Sequence, residues 1–193
     1  MKLFTLRFIK DLVLSFVFIV LYYVLTHNSI TYPTPRIYNG VWSIEKLQYP
    51  LVMRLAGHNY LALRNDKGEI VSELHGLATD EVTNTWKYIG TGNNEYLKVW
   101  EFDTSIFDAT KNVLPGVVLS TGDEMIMRTL WGKGVLCKEK INEKNIPYPA
   151  FGISMYETKN SNAVAYTLSK CMGLESKHIG IIVPGEETDL LEE

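Results

Sequence analysis

The sequence predicts an α+β fold: an antiparallel sheet packed with two or more helices, preceded by one N-terminal transmembrane helix. Three observations predict it: an uninterrupted apolar run near the N-terminus, a strand-turn-strand pattern, and two helix-start signals in the C-terminal half. The chain has 193 residues, of which 46% are hydrophobic and 21% charged. This is the composition of one globular domain, since the chain is too short for two sizeable cores.

The apolar run covers residues 12–25 (LVLSFVFIVLYYVL) and contains no charge and no strong helix breaker. A helix of this length spans about 21 Å, less than the hydrocarbon core of about 30 Å. However, apolar residues before the run lengthen it, and the flanking Arg7 and Lys10 can snorkel. Because no good cleavage site follows, we predict a transmembrane anchor over residues 12–26. A cleaved signal peptide and a buried core helix are the second and third alternatives.

The charges beside the run predict which side of the membrane the domain occupies. Lys2, Arg7 and Lys10 precede the run, whereas the 15 residues after it contain only Arg36. The positive-inside rule therefore places residues 1–11 in the cytoplasm and the domain on the outer side, periplasmic or extracellular. Residues 1–26 contain three basic residues and one acidic residue, so the rest of the chain has 16 basic and 21 acidic residues. Since no basic patch stands out, no nucleic-acid partner is predicted.

Composition divides the remainder into three parts. Residues 27–40 are polar, contain Pro33 and Pro35, and are predicted to form a linker. One globular domain is predicted over residues 41–183. An acidic tail is predicted over residues 184–193.

The clearest strand signal lies in residues 58–75, where two alternating runs flank the turn residues 65–68 (NDKG), a pattern typical of a β-hairpin. Pairing Asn65 with Gly68 puts four apolar residues on one face: Leu61, Leu63, Ile70 and Leu74. The opposite face then carries His58, Tyr60, Arg64, Glu69, Glu73 and His75. In this register His58 lies directly opposite His75, with Glu73 one diagonal away. Further strands are predicted at residues 40–47, 51–55, 96–102, 117–119 and 179–183.

Two helices follow from capping signals and periodicity. Thr121 and Glu124 form a capping-box pattern before residues 125–141, which are rich in apolar side chains. A second helix is predicted after residues 160–162 (NSN), where apolar residues recur at helical spacing. Gly173 suits the position that follows its C-terminus.

Cys137 and Cys171 fall within these two helices, and buried core thiols are the favoured interpretation. A disulfide is the alternative, because the outer side of the membrane is oxidising. The four histidines have no HExxH or CxxC context, so no metal site and no cofactor are predicted. The sequence does not indicate an oligomeric state.

Ser161 lies at the start of the second predicted helix, and a serine hydroxyl is a weak nucleophile until a base removes its proton. His58 is the candidate base, with His75 or Glu73 orienting its ring. The helix N-terminus would stabilise an oxyanion. The alternatives are structural: Ser161 as an N-cap, which spacing alone favours, and His58 as a strand-end histidine bonded to backbone.

Three segments share a pattern with a group of enzymes: a histidine at a strand start (GHNYLALRN), a hairpin that ends in ELHG, and an NSN step into a helix (TKNSNAVAYTLSKCMGL). They resemble the permuted papain-like hydrolases, which include lecithin:retinol acyltransferase-like proteins and permuted papain-fold peptidases. The resemblance implies that His58 is the family histidine, that His75 or Glu73 is its orienter, and that Ser161 occupies the nucleophile position. That position is cysteine in the active family, so Ser161 makes either a serine variant or an inactive relative.

The sequence therefore predicts a membrane-anchored hydrolase or acyltransferase that acts on an amide or ester bond through a Ser nucleophile and a His base. The substrates it can reach outside the membrane are peptidoglycan, a peptide or a lipid ester near the anchor. The alternative is a non-catalytic membrane-anchored binding domain of the same fold. A barrel-type lipid carrier, indicated only by Gly40-x-Trp42, is a third hypothesis.

Overall fold

A computed structural model describes residues 40–51, 56–87, 90–91, 94–107, 116–150, 159–179 and 183–192. The chain divides into two units, Met1–Thr31 and Tyr32–Glu193, and every described residue lies in the second unit. The predicted anchor, residues 12–26, lies outside the described residues. In the part of the chain that the structure describes, no helix is long and apolar enough to cross a membrane.

The described fold is one antiparallel sheet of six strands with two helices, which confirms the predicted α+β class. The strands are β1 (Trp42–Leu51), β2 (Ala56–Arg64), β3 (Ile70–Asp80), β4 (Trp86–Lys87), β5 (Glu95–Phe102) and β6 (Gly116–Gly122). The helices are α1 (Glu124–Glu143) and α2 (Ser161–Cys171). The strand order is β4-β3-β2-β1-β6, and β5 also pairs with β3.

Three of the strands predicted outside the hairpin are confirmed as β1, β5 and β6, each longer than predicted. The strand predicted over residues 51–55 lies outside the described residues beyond its first residue, which ends β1. The strand predicted over residues 179–183 is wrong at both ends, since Ile179 and Val183 are irregular, and its middle lies outside the described residues. The Ile179 carbonyl instead accepts a hydrogen bond from the Gln48 side chain at 3.1 Å.

The hairpin of β2 and β3 is confirmed, but its register differs by two residues from the predicted one, since Leu61 pairs with Leu74. One residue of this difference arises in the turn, where the Asn65 N–H donates to the carbonyl of Glu69, and not of Gly68, at 3.0 Å. The other comes from a β-bulge next to the turn. Because side chains alternate with a period of two, a slip of two residues keeps most of them on their predicted faces.

Ile70 is an exception to the predicted faces. The bulge inserts an extra residue into β3, so Val71 packs against the main core. Ile70 packs on the opposite face, against the cluster that contains Tyr60 and Phe107. The prediction of Ile70 as a residue of the core face is therefore wrong.

Both helices pack on one face of the sheet, and the main hydrophobic core lies between helices and sheet. Its members that are 0% or 1% exposed include Ile44, Leu61, Leu74, Leu97, Met127, Ile141, Val164 and Leu168. The Leu190 side chain belongs to the same core, and the Leu190 N–H donates to Thr167 Oγ1 at 2.9 Å. Part of the predicted acidic tail therefore packs on α2.

Both helices have a side-chain N-cap, but not at the predicted residues. Asp123 caps α1 by accepting from the Ile126 N–H at 2.8 Å, so the predicted capping by Thr121 is wrong. Asn160 caps α2 through its side-chain oxygen. Ser161 is consequently the first residue of the helix and does not have the N-cap role that spacing alone favoured.

Cys137 of α1 and Cys171 of α2 form a disulfide, with their Cα atoms 6.2 Å apart. The favoured prediction of two separate thiols is therefore wrong, and the alternative is observed. The helices approach closely here because residue 134 is glycine: a Cβ on Gly134 would overlap the Met172 side chain. The disulfide thus ties α2, which begins at Ser161, to the longer helix.

Candidate active site

Three buried side chains of the hairpin form a continuous chain of hydrogen bonds, which we call the histidine chain. His58 Nε2 lies 3.1 Å from His75 Nδ1, and His75 Nε2 lies 2.9 Å from Glu73 Oε2. His58 is 3% exposed, and His75 and Glu73 are both 0% exposed. The structure therefore brings together His58, His75 and Glu73, although the ring of β2 that lies nearest to the His75 ring is that of Tyr60, with centroids 4.2 Å apart, and not that of His58, at 5.4 Å.

The direction of the hydrogen bonds follows from the carboxylate end. An ionised Glu73 only accepts, so His75 Nε2 donates to it and His75 Nδ1 is an acceptor. His58 Nε2 then donates to His75 Nδ1, which makes Nδ1 the basic nitrogen of His58. These tautomers are assigned from the hydrogen bonds.

Burial controls the protonation of the histidine chain. It lowers the pKa of His58 well below its usual range, and the charge of His75 lowers it further. Burial also lowers the pKa of His75 to about 3. It raises the pKa of Glu73 to about 7, although hydrogen bonds from the Ile106 N–H and the Ser105 hydroxyl oppose the shift. At neutral pH both rings are therefore neutral and Glu73 is near its midpoint.

Aromatic rings enclose the histidine chain. The ring centroids of Tyr60 and His75 are 4.2 Å apart. Phe107 packs against His58 and His75 at 5.8 and 5.4 Å, and Phe102 meets His75 edge-on at 5.6 Å. These rings keep water away from the imidazoles, which is why burial is the largest cause of their lowered pKa values.

The N-terminus of α2 contacts the residues that follow both histidines. Asn162 Oδ1 accepts from the Asn59 N–H at 2.9 Å, and Asn59 follows His58. Gly76 follows His75, and a Cβ there would lie 2.6 Å from Val164 Cγ2 and 3.0 Å from Ser161 Cα. The start of α2 is therefore fixed within one residue of each histidine along the strands.

The Ser161 hydroxyl is hydrogen-bonded to the Tyr148 hydroxyl, and Ser161 is 7% exposed. Burial raises the pKa of Tyr148, which keeps this hydroxyl protonated. Ser161 packs against Gly76 on the helix-bearing face of the sheet, whereas the His75 ring lies on the opposite face. Among the described residues, no hydrogen bond joins Ser161 to His58. Their pairing as nucleophile and base stays a prediction.

A second polar cluster, which was not predicted from the sequence, lies on the helix-bearing face; its Lys46 and Asn59 are buried, its Glu186 is partly buried and its His178 is exposed. We call its members the lysine cluster: Lys46, Asn59, His178 and Glu186. The fully buried Lys46 Nζ donates to Glu186 Oε1 at 2.6 Å, and His178 Nδ1 lies 2.6 Å from Glu186 Oε2. Asn59 Nδ2 lies 3.4 Å from Glu186 Oε1. The available signal was the alternation of β1, which places Lys46 on the same face as the core residues of that strand.

The lysine cluster and α2 together hold the C-terminal segment 183–188. The side-chain amides of Asn160 and Asn162 donate to the Pro184 carbonyl at 2.9 and 3.2 Å. Within the described residues, this segment and His178 line a cavity of about 540 Å³. The Pro184 carbonyl that the two asparagines bind thus lies between two lining residues of the cavity, Val183 and Gly185.

Within the described ranges, no group of three or more His, Cys, Asp or Glu residues is arranged to hold a metal ion. No protein-family model, curated protein or solved structure matches the chain. The candidate function therefore depends on the geometry of the site and on the resemblance of the sequence motifs.

Proposed function

We propose that the protein is a membrane-anchored hydrolase or acyltransferase that cleaves an amide or ester bond. Ser161 is the nucleophile, His58 is the general base, and His75 with Glu73 orients His58. One observation carries the proposal: the histidine chain is continuous, and the residues that follow its two histidines contact the helix start at which Ser161 lies.

In the proposed reaction, Ser161 Oγ attacks the carbonyl carbon while His58 Nδ1 accepts the hydroxyl proton. The positive end of the α2 dipole stabilises the oxyanion of the tetrahedral intermediate. His58 then gives the proton to the leaving amine or alcohol, and water or an acceptor alcohol or amine releases the acyl group from Ser161. Through His75, the ionised Glu73 stabilises the imidazolium that forms on His58.

The reaction requires the Ser161 side chain to leave Tyr148 and to meet His58 from the other side of the sheet. The described ladder between β2 and β3 ends at Leu61 and Leu74, so the two strands separate beside the histidines. We place the meeting of Ser161 and His58 in this opening.

The proposal includes a permuted papain-like fold and a location outside the membrane. The fold rests on the resemblance of the hairpin and NSN motifs. The disulfide between Cys137 and Cys171 supports the location, because disulfides persist in oxidising compartments. With the proposed anchor at residues 12–26, the substrates within reach are peptidoglycan, a peptide or a lipid ester.

A non-catalytic, membrane-anchored binding domain of the same fold is the second candidate. Two observations favour it: the Ser161 hydroxyl already has a partner in Tyr148, and the histidine chain is almost completely buried. In this alternative the histidine chain stabilises the hairpin, and the cavity beside α2 holds a ligand without chemistry.

Labelling by a fluorophosphonate, which reacts with activated serines, distinguishes the two candidates. The full chain in detergent is compared with Ser161→Ala and with Ser120→Ala, a matched loss of a serine hydroxyl from β6. We expect the wild type and Ser120→Ala to be labelled and Ser161→Ala to remain unlabelled. A folded wild type that is not labelled, or equal labelling of Ser161→Ala, excludes Ser161 as the nucleophile and favours the binding domain.

A further inference from the structure

Exposed apolar side chains gather at the corner of the domain where the chain enters it. Val41, Met125 and Ile126, which we call the apolar corner, are 42%, 75% and 48% exposed. Val41 precedes Trp42, which pairs with Gly122 at the end of β6. A Cβ on Gly122 would lie 3.7 Å from Ile126 Cγ2, so the first turn of α1 starts at the same corner.

The charged groups around the apolar corner are already engaged. The Arg128 guanidinium lies 4.6 Å above the Trp42 ring and bonds to Glu124 at 2.7 Å. The Asp123 carboxylate accepts the Ile126 N–H at 2.8 Å. The corner therefore presents apolar side chains beside charged groups that are hydrogen-bonded within the domain, a composition that suits a lipid interface.

We propose that the apolar corner inserts into the lipid surface of the membrane that holds the proposed anchor. This inference rests on the proposed anchor, residues 12–26, and on the predicted linker, residues 27–40, which ends directly before Val41. Along the chain, the apolar corner includes the described apolar residue nearest to the proposed anchor, which is why we infer a lipid surface as its occupant. Insertion would fix the orientation of the domain and set the height of the candidate active site above the membrane.

Val82 is the internal comparison for this proposal. It is 85% exposed, more than any residue of the apolar corner, but it lies in the turn after β3. If exposure alone decided lipid contact, Val82 would contact lipid at least as well as Met125. If the connection to the anchor decides it, Val82 stays in water.

Photo-crosslinking of the full chain tests the proposal. The protein is reconstituted in phosphatidylcholine vesicles that contain a phospholipid with a diazirine near the top of its acyl chain. Tryptic cleavage separates the apolar corner, in peptides 37–46 and 112–128, from Val82, in peptide 68–87. We expect lipid adducts on the two corner peptides and on the anchor, and none on peptide 68–87. Ile126→Ser should lower the adduct on peptide 112–128 about fivefold, and Val82→Ser should change nothing.

Each pattern of adducts decides a different claim. Adducts on residues 12–26 without the corner peptides overturn the inserted corner and leave the anchor intact. Adducts on the corner peptides without residues 12–26 support the corner and contradict the anchor. Equal adducts on peptide 68–87 overturn the inference, because they indicate that exposure alone decides lipid contact.

Discussion

The histidine chain and the lysine cluster lie on opposite faces of the same sheet and differ in how their charges are compensated. In the lysine cluster, the buried ammonium of Lys46 is paired directly with the carboxylate of Glu186. In the histidine chain there is no permanent cation, and burial instead neutralises both rings and raises the pKa of Glu73 to about 7. A buried ion pair is costly to break because the remaining charge is left uncompensated, whereas a neutral ring linked to a carboxyl group that titrates near neutral pH can take up a proton whose charge the carboxylate then compensates. The comparison therefore separates a structural cluster from a candidate catalytic one.

The largest expected effect concerns the histidines of the two clusters. His58→Gln keeps an N–H donor for His75 but removes the proposed base, so fluorophosphonate labelling should slow by about 10²- to 10⁴-fold. His178→Gln, the same substitution at the half-exposed histidine of the lysine cluster, should leave the labelling rate unchanged. Labelling rates of the two full-length variants, checked by circular dichroism, measure the difference. Equal slowing in both variants would contradict the assignment of chemistry to the histidine chain.

The second effect concerns stability and should be confined to the lysine cluster. Glu186→Gln leaves the buried Lys46 ammonium without its counter-charge, so the free energy of unfolding should fall by about 3–5 kcal/mol. Glu187→Gln, next in the chain and exposed, is the control. Adding Lys46→Met to Glu186→Gln should restore much of the loss, because it removes the unpaired charge. Urea unfolding of the four proteins checks this, and no rescue by the double change would argue against charge burial as the cause.

The same comparison explains which parts of the site were predictable from the sequence. His58 and His75 lie 17 residues apart on one hairpin, and strand alternation kept them on one face in spite of the two-residue error in register. Lys46 and Glu186 lie 140 residues apart, and only the packed fold brings them together. The alternation of a single strand gives no partner for a lysine that faces the core.

The helices show the same limit of local patterns. Capping and periodicity predicted that both helices exist, but Asp123 and Asn160, each one residue before its helix, are the caps. From the sequence the disulfide is only an alternative, because two cysteines do not make a disulfide framework and their pairing depends on how closely α1 and α2 pack. That distance is set by the missing side chain of Gly134 against Met172, which no sequence period reveals.

The third effect is a pH dependence of stability that belongs to the histidine chain. The pKa of Glu73 is about 7, against an ordinary value of 4.5, so the folded protein keeps a proton that the unfolded chain releases. The resulting stabilisation is fully present below pH 4.5 and is lost as the pH rises through about 7, a change of about 3 kcal/mol. The lowered pKa values of His58 and His75 act in the opposite direction, since the unfolded chain takes up protons below pH 6.5 and stability rises with pH there.

Glu73→Gln isolates the carboxyl contribution, because both proteins retain the two histidines. The unfolding free energy of the wild type minus that of Glu73→Gln should decrease by about 3 kcal/mol between pH 4.5 and pH 7. Urea titrations at half-unit pH intervals measure this difference. A difference that is independent of pH would mean that Glu73 ionises in the folded protein as it does in the unfolded chain.

The smallest expected effect is that of moving the start of α2 relative to the histidine chain. Gly76→Ala adds a methyl group 2.6 Å from Val164 Cγ2 and 3.0 Å from Ser161 Cα, so the helix start must shift, at a cost of about 1–3 kcal/mol. Gly57→Ala, in β2 directly before His58, is the matched change. The nearest atoms to its methyl group all belong to the Gln48 side chain, the closest at 2.6 Å. Gln48 in turn bonds to Asn59 of the lysine cluster at 3.0 Å.

The two glycine variants should differ in labelling more than in stability. A flexible side chain yields to the new methyl group of Gly57→Ala, whereas in Gly76→Ala the backbone of Ser161 itself is displaced from the histidine chain. We therefore expect slower fluorophosphonate labelling in Gly76→Ala and an unchanged rate in Gly57→Ala, measured below the unfolding transition of both. If both variants slow labelling in proportion to their loss of stability, the contact between α2 and Gly76 serves packing alone. The position of Ser161 relative to the histidine chain would then no longer support a catalytic role.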